Sequence, residues 1–434
     1  MKPVDQRRAQ WQVPFFTIWA GQAFSLLGSS LVQFALVWWL TKTTGSATVL
    51  ATASLVALLP GVFLSPFVGA LVDRWSRRLL MILADGLIAL AAAGMAYLFY
   101  IGAAHPWHIY VVMFIRSIGS GFHWPAMQAS TSLMVPEEHL SRVAGLNQSL
   151  RGGVNIVGPP LGALLLSLLP LHGILAIDVG TAVLAIVPLF FVHIPQPERK
   201  PTAEARKPSL LGDVREGLRY VWDWPGLLAV GVMAMVINFL FNPAFSLVPI
   251  LVTKHFGGEA LELGWIESAW GIGVVLGGLV LGVWGGFRRR ILTSMMGLIV
   301  TGLSILLLGM TPASAFWLGV GAIFLAGLMN PITNGPLFAV LQAVVDPGMQ
   351  GRVLTLLQSA STAMSPLSLA IAGPVADLLG VRAWYVVGGV VCTLMGVGGC
   401  FVPAVVHLED NHRERVVEGM TAIADVSPAH VDME

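Results

Sequence analysis

Twelve times along this chain an apolar run of twenty residues or more recurs with few charges inside it. A helix needs about 20 such residues to cross a bilayer's hydrocarbon core, where every backbone polar group must be satisfied without water. The runs fall at 15–40, 47–72, 79–102, 107–134, 141–169, 173–194, 226–253, 262–286, 290–310, 314–343, 351–379 and 382–406. Several exceed the minimum, which implies tilt or ends that protrude into water. The first run is longer than the apolar core of a signal peptide, so it reads as a retained span. Only 11% of the residues are charged against 56% hydrophobic, a balance outside that of soluble domains. A net charge of +1 gives no footprint for nucleic acid.

An even number of spans puts both termini on one side, and the basic residues choose it. Nineteen Lys and Arg, among them Arg7, Arg8, Arg74, Arg142, Lys207, Arg288 and Arg352, fall on one face, and only Lys42, Lys254 and Arg382 on the other. Such an asymmetry predicts a multi-pass cell-membrane protein with cytoplasmic termini. The organisation follows as a cytoplasmic stretch 1–14, a first bundle 15–194, a connection 195–225, a second bundle 226–406 and a cytoplasmic tail 407–434. Pro195, Pro197, Pro201 and Pro208 keep the first half of the connection extended. Leu210, Leu211, Val214, Leu218 and Val221 then recur at helical spacing, which predicts an amphipathic helix on the membrane surface.

The two halves repeat. Pro125 and Pro136 recur as Pro336 and Pro347, and Arg142-Val143-x-x-Leu146-x-Gln148-Ser149 recurs as Arg352-Val353-x-x-Leu356-x-Gln358-Ser359. With six spans per half the corresponding helices keep their direction, a parallel repeat about an axis along the membrane normal. The fold predicted is therefore an all-α polytopic membrane protein, twelve transmembrane helices in two pseudo-symmetric six-helix bundles.

Between the second and third runs, Gly69-Ala-Leu71-Val-Asp73-Arg74-Trp-Ser76-Arg77-Arg78 sets an acid among arginines. It resembles the signature loop of the major facilitator superfamily, with Ser76 in place of the usual second glycine. The resemblance implies a gating role for Gly69, Asp73, Arg74, Arg77 and Arg78. Asp73 would face the start of span eleven near Gly351, and Arg77 and Arg78 would meet headgroups and carboxylates. Arg116-Ser-Ile-Gly119-Ser-Gly121 resembles the family's intramembrane arginine motif. Arg151-Gly-Gly153-x-x-x-x-Gly158-Pro159-Pro160-x-Gly162 resembles the glycine-proline motif of its antiporter branches, for which Gly153, Gly158 and Gly162 would permit close helix contact. Span eleven keeps a fragment, Gly373-Pro374-x-x-Asp377. The overall likeness is to the drug and macrolide efflux branch, and it implies substrate leaving as a proton enters.

A proton carrier inside the membrane needs a carboxyl that can be neutralised there. Glu267 in span eight is the leading candidate, beside Asp85, Asp178, Arg116 and His123. A structural role competes for each: Asp85 and Asp178 as packing acids, Arg116 as an ion-pair partner, His123 as a hydrogen-bonded packing residue. Uncharged groups would line the pathway: Gln22, Gln33, Phe34, Trp124, Asn155, Asn238, Phe241, Asn242, Asn330 and Asn334, with Arg116 and Arg151 among them. Scattered amides on an apolar wall suit bulky amphipathic substrates.

Cys392 and Cys400 lie about two turns apart on one helix, too far for a disulfide. No Gly-Lys pair occurs, so a P-loop and ATP drive are absent. His105 and His108 read as interfacial residues rather than a metal site. The function predicted is a proton-coupled exporter with no cofactor, no metal and no enzymatic activity, a monomer whose partners are membrane lipid, protons and a small-molecule substrate. The alternative cargoes are a siderophore, a lysophospholipid or an anionic metabolite; the alternative class is a non-transporting sensor or scaffold.

Overall fold

The structure is a computed structural model that describes residues 11–192, 194, 210–346 and 348–409. Twelve long helices of 21 to 33 residues occupy them: α1 (Gln12–Thr44), α2 (Ala47–Arg74), α3 (Arg77–Tyr100), α4 (Pro106–Met134), α5 (Glu137–Leu168), α6 (Leu171–Phe191), α7 (Pro225–Ser246), α8 (Ala260–Trp284), α9 (Arg290–Met310), α10 (Phe316–Val344), α11 (Gln350–Leu379) and α12 (Val381–Phe401). Each covers one of the twelve runs. Ten are apolar enough to cross a membrane by composition alone. The other two, α4 and α5, carry the polar residues Arg116, His123, Arg142, Asn147, Arg151 and Asn155, which lower their mean hydropathy; Arg116 and His123 are covered by neighbouring helices and Asn155 faces the space between the halves.

Helices α1–α6 pack on one another through α1–α6, α1–α5, α3–α4, α2–α4 and α3–α6, and α7–α12 do so through α9–α12, α8–α10, α9–α10 and α7–α11. Two seams join the halves, α2 against α11 and α5 against α8. Without a hydrophobic drive between helices in lipid, close packing of small residues holds them. A Cβ on Gly389 would lie 2.6 Å from Leu306 Cα, and one on Gly273 would lie 2.8 Å from Leu328 N, so α9–α12 and α8–α10 approach backbone to backbone. Large apolar side chains such as Leu90, Val283, Phe191 and Leu378 point outward, where lipid solvates them.

The α2–α3 turn defines a basic face, and Lys42 at the end of α1 marks the far face. Ser46 opens α2 by accepting from Val49 N–H (3.3 Å), and Ser76 opens α3 by accepting from Leu79 N–H (3.4 Å). With φ of −63° Ser76 has no need of glycine's freedom, and its hydroxyl supplies an N-cap instead. The connecting helix Leu210–Trp222 docks on α11, where Arg352 reaches Glu216 (2.9 Å) and Tyr220 O–H donates to Asp346 (3.1 Å). Residues 1–10, the prolines of the connection and the tail beyond Glu409 lie outside the described residues, as do the side chains at 210–214.

Candidate functional site

The tightest approaches across the seams fall toward the far face, at Gly373 of α11 and Gly264 and Gly271 of α8. On α8, Gly264, Ser268 and Gly271 recur at helical spacing and form one face. Their lack of bulk lets that face meet α5: Cβ atoms on Gly264 and Gly271 would lie 3.1 Å from Pro160 Cα and 3.0 Å from Ile156, and Ser268 O–H donates to Ile156 C=O at 2.9 Å. Pro159 is buried in this seam. Gly158 and Gly162 serve a different contact, letting α5 approach Ser30 and Phe34 of α1. Gly153, expected to make a close contact as well, faces open space.

Beneath the seams lies a cavity of about 540 Å³ walled by both halves: Ser30, Gln33 and Phe34 of α1, Ser54 of α2, Asn155 and Pro159 of α5, and Glu267 and Trp270 of α8. Glu267 is half-buried and has no hydrogen-bond or ion-pair partner among the described residues. A second cavity of about 780 Å³ opens along the other half, lined by Asn238, Phe241, Asn242, Asn330, Asn334, Phe338 and Gln358. Phe245 and Trp270 line both cavities, with ring centroids 4.3 Å apart, so this aromatic pair is the partition between them. Asn242 gives its N–H to Asn238 C=O (3.1 Å) and Asn334 gives its own to Asn330 C=O (2.9 Å). Their amide oxygens stay without a partner among the described residues, available to a ligand that donates.

The first half holds its ionic groups differently. Arg116 of α4 pairs with Asp178 of α6 at 2.6 Å and donates to Ser29 C=O of α1 at 3.2 Å, while Ser29 O–H reaches Asp178 at 3.2 Å. Both charged side chains are buried, 9% and 1% exposed, so the triad ties α1, α4 and α6 inside the bundle. Asp85 of α3 accepts from Gln22 at 3.0 Å and has His123 at 3.4 Å, an ion-pair distance without hydrogen-bond geometry. Gln22 and Arg116, both expected along the pathway, are therefore buried in the first bundle and line neither cavity. Arg151 is exposed on α5, its guanidinium 3.3 Å from the Trp124 ring centroid in a cation–π stack.

At the basic face, Gly69, Asp73 and Arg74 are helical in backbone, but their side-chain surroundings lie outside the described residues. Arg77 donates to Ala129 C=O of α4 and Arg78 to Phe190 C=O of α6 at 2.7 Å. Both partners are backbone carbonyls: Phe190 lies in the last turn of α6, where such oxygens lack intrahelical donors, and Ala129 lies further inside α4. His108 accepts from His105 N–H at 3.0 Å and so caps α4. No cluster of three His, Cys, Asp or Glu able to hold a metal exists among the described residues.

One residue the sequence left as part of a fragment emerges at the far face. Asp377 of α11 accepts from Ala47 N–H (2.8 Å), Thr48 N–H (2.9 Å) and Ser46 O–H (2.9 Å) of α2, across the seam. A lone acid at the end of a span, one turn after a glycine, was the only signal for it.

The Major Facilitator Superfamily model matches residues 18–363 and again 227–427. The chain is 36% identical over 379 residues to macrolide efflux protein A of Streptococcus pyogenes, covering 87% of this chain and 93% of that one. It is 28% identical over 395 residues to the multidrug efflux pump Tap of Mycolicibacterium fortuitum, covering 88% and 94%. The crystal structure of a bacterial homologue of the iron transporter ferroportin in an inward-facing state superposes with a TM-score of 0.67 at 15% identity, over 89% of this chain and 98% of that one.

Proposed function

This chain belongs to the major facilitator superfamily, and from that premise we propose that it exports bulky amphipathic drugs, macrolides among them, in exchange for protons. The relatives similar along most of their length are named for macrolide and multidrug efflux, which supports the cargo class. The carrying observation is Glu267. It is an acid facing the inter-bundle cavity with no partner among the described residues, one aromatic pair away from an uncharged cavity of drug size.

In this reading the basic face is cytoplasmic and the bundles are parted there. Substrate enters from that side and settles among Phe241, Asn242, Asn330 and Phe338. Its binding drives the proton off Glu267 into the cytoplasm, the halves rock so that the α2–α11 and α5–α8 seams open, and once substrate has left outside a proton from that side neutralises Glu267 for the return. One charge crossing 100 mV supplies about 2.3 kcal/mol, enough to hold roughly a 40-fold gradient of a neutral solute. The Arg116–Asp178 pair is already satisfied, so it serves structure.

Everted vesicles carrying a pH-sensitive dye test this. Macrolides should release protons from vesicles with the parent protein and not from those with Glu267→Gln. Equal proton release by both would overturn the assignment of Glu267; macrolide uptake unaffected by collapsing the proton gradient would overturn coupling. A second reading rests on Arg151, whose exposed guanidinium on Trp124 suits a negatively charged group: export of an anionic metabolite, siderophore or lysophospholipid. Anionic compounds in the same panel separate the two, because only this reading loses transport with Arg151→Gln.

A further inference from the structure

We infer that Gly373 and Asp377 of α11 form a latch on the N-terminus of α2, closing the far face in this state and releasing in every cycle. The first amides of any helix lack intrahelical acceptors, and an anion is favoured there. At α3, α4 and α8 side chains of the first turn meet such amides, and at α9 Glu409, just beyond the last helices of the same half, accepts from Ile291 N–H. At α2 the Ser46 hydroxyl accepts from Val49 N–H alone, while the amides of Ala47 and Thr48 go to a carboxylate in the other bundle. The Ser46 hydroxyl adds a third hydrogen bond to the same group.

Close approach is built in one turn away. Gly373 lies on the same face of α11 as Asp377, and a Cβ there would sit 2.7 Å from Thr48 Cα and 3.2 Å from Ala47 C=O. Both atoms are backbone, so no rotamer change relieves the contact. The glycine lets α11 press onto α2 closely enough for the acid one turn on to reach the amides.

The other contacts at this face differ in kind. The N-terminal amide of α8 is met within its own first turn, Glu262 accepting from Glu259 N–H at 2.8 Å, so that bond survives when the bundles part. Lys42 and Glu259 meet at 2.7 Å but are 42% and 72% exposed, a pair that water and salt weaken. Among these contacts at the helix ends, the multiply hydrogen-bonded one is where α11 meets α2. Asp377 is itself exposed, so water can take over its hydrogen bonds as the seam opens. That makes the contact a catch rather than a permanent bond.

Sided cysteine labelling tests the latch without any substrate, so its outcome is independent of the export reading. The full chain with Cys392→Ala and Cys400→Ala carries Ser54→Cys, which sits in the inter-bundle cavity beneath the seam. A membrane-impermeant maleimide is added to right-side-out and everted vesicles, so that both faces are read. From the far face, Asp377→Asn and Gly373→Ala should each raise the labelling rate at least fivefold, and Lys42→Met should leave it within twofold. Unchanged labelling from the basic face verifies that the variants are folded. Far-face rates within twofold of the parent in both latch variants would overturn the proposal.

Discussion

Removing Asp178 while Arg116 remains should be far more damaging than removing both. Asp178→Ala leaves a guanidinium that is 9% exposed with Ser29 C=O as its remaining partner. Stripping one member from a buried ion pair typically costs about 3–5 kcal/mol, since the partner stays charged and uncompensated. The figure of about 2.5–3.5 kcal/mol for an arginine at the centre of a spanning helix agrees in size. The Ser29 hydroxyl also loses an acceptor, about 1 kcal/mol at most. The double variant Arg116→Met, Asp178→Leu removes both charges and fills the space with apolar atoms, so it should fall within about 1 kcal/mol of the parent. Reversible unfolding of the purified protein in mixed micelles, followed by far-ultraviolet circular dichroism, gives the free energies. The reasoning is refuted if the double variant is as unstable as Asp178→Ala. The pair would then be worth more than the hydrophobic contact replacing it, and the N-terminal bundle would depend on its charges outright.

Three further outcomes follow from the packing. Gly389→Ala forces α9 and α12 apart at Leu306 and should lower stability by about 1–3 kcal/mol in the same unfolding assay, whereas Gly398→Ala, facing open space, should not. Lys42→Met should change stability by less than about 1 kcal/mol, with little further response to salt, because its ion pair is solvated. Phe245→Ala opens the aromatic partition and merges the two cavities, so efflux measured across a size series should shift toward larger compounds.

The span count was legible because lipid leaves a chain few choices, and even α4 and α5 declared themselves by length despite their polar residues. What surrounds a polar residue on a span was not. Gln22 and Gln33 lie three turns apart and share a face of α1, yet Asp85 of α3 covers one and the inter-bundle cavity receives the other. A shared face fixes direction and says nothing about which helix stands there at each depth. For Arg116 ion pairing was one of two open readings, and the sequence did not name Asp178, 62 residues on, as the partner. Glycines in a motif divide similarly: Gly158 and Gly162 meet α1 and Gly153 meets nothing. Ser76 was read as a departure from the pattern, and its hydroxyl proves to do useful work at the start of α3. Asp377 was hidden because its partners are backbone amides, which every residue but proline carries and no sequence pattern distinguishes.

None of the residues lining the 780 Å³ cavity is ionisable, while the buried ion pair and the Asp85–His123 contact lie in the other half of the molecule. In the proposed reading, this separation bears on how the range of exported compounds changes. An altered side chain at Phe241, Asn330 or Phe338 reshapes the wall without orphaning a charge, and volume-conserving exchanges of apolar groups generally cost less than about 1.5 kcal/mol. Under selection by a new compound the cargo range can therefore drift in single substitutions, each tolerated by the scaffold. On that reading, variants with a shifted range of exported compounds should accumulate in α7, α10 and α11, and α4 and α6 should stay nearly unchanged.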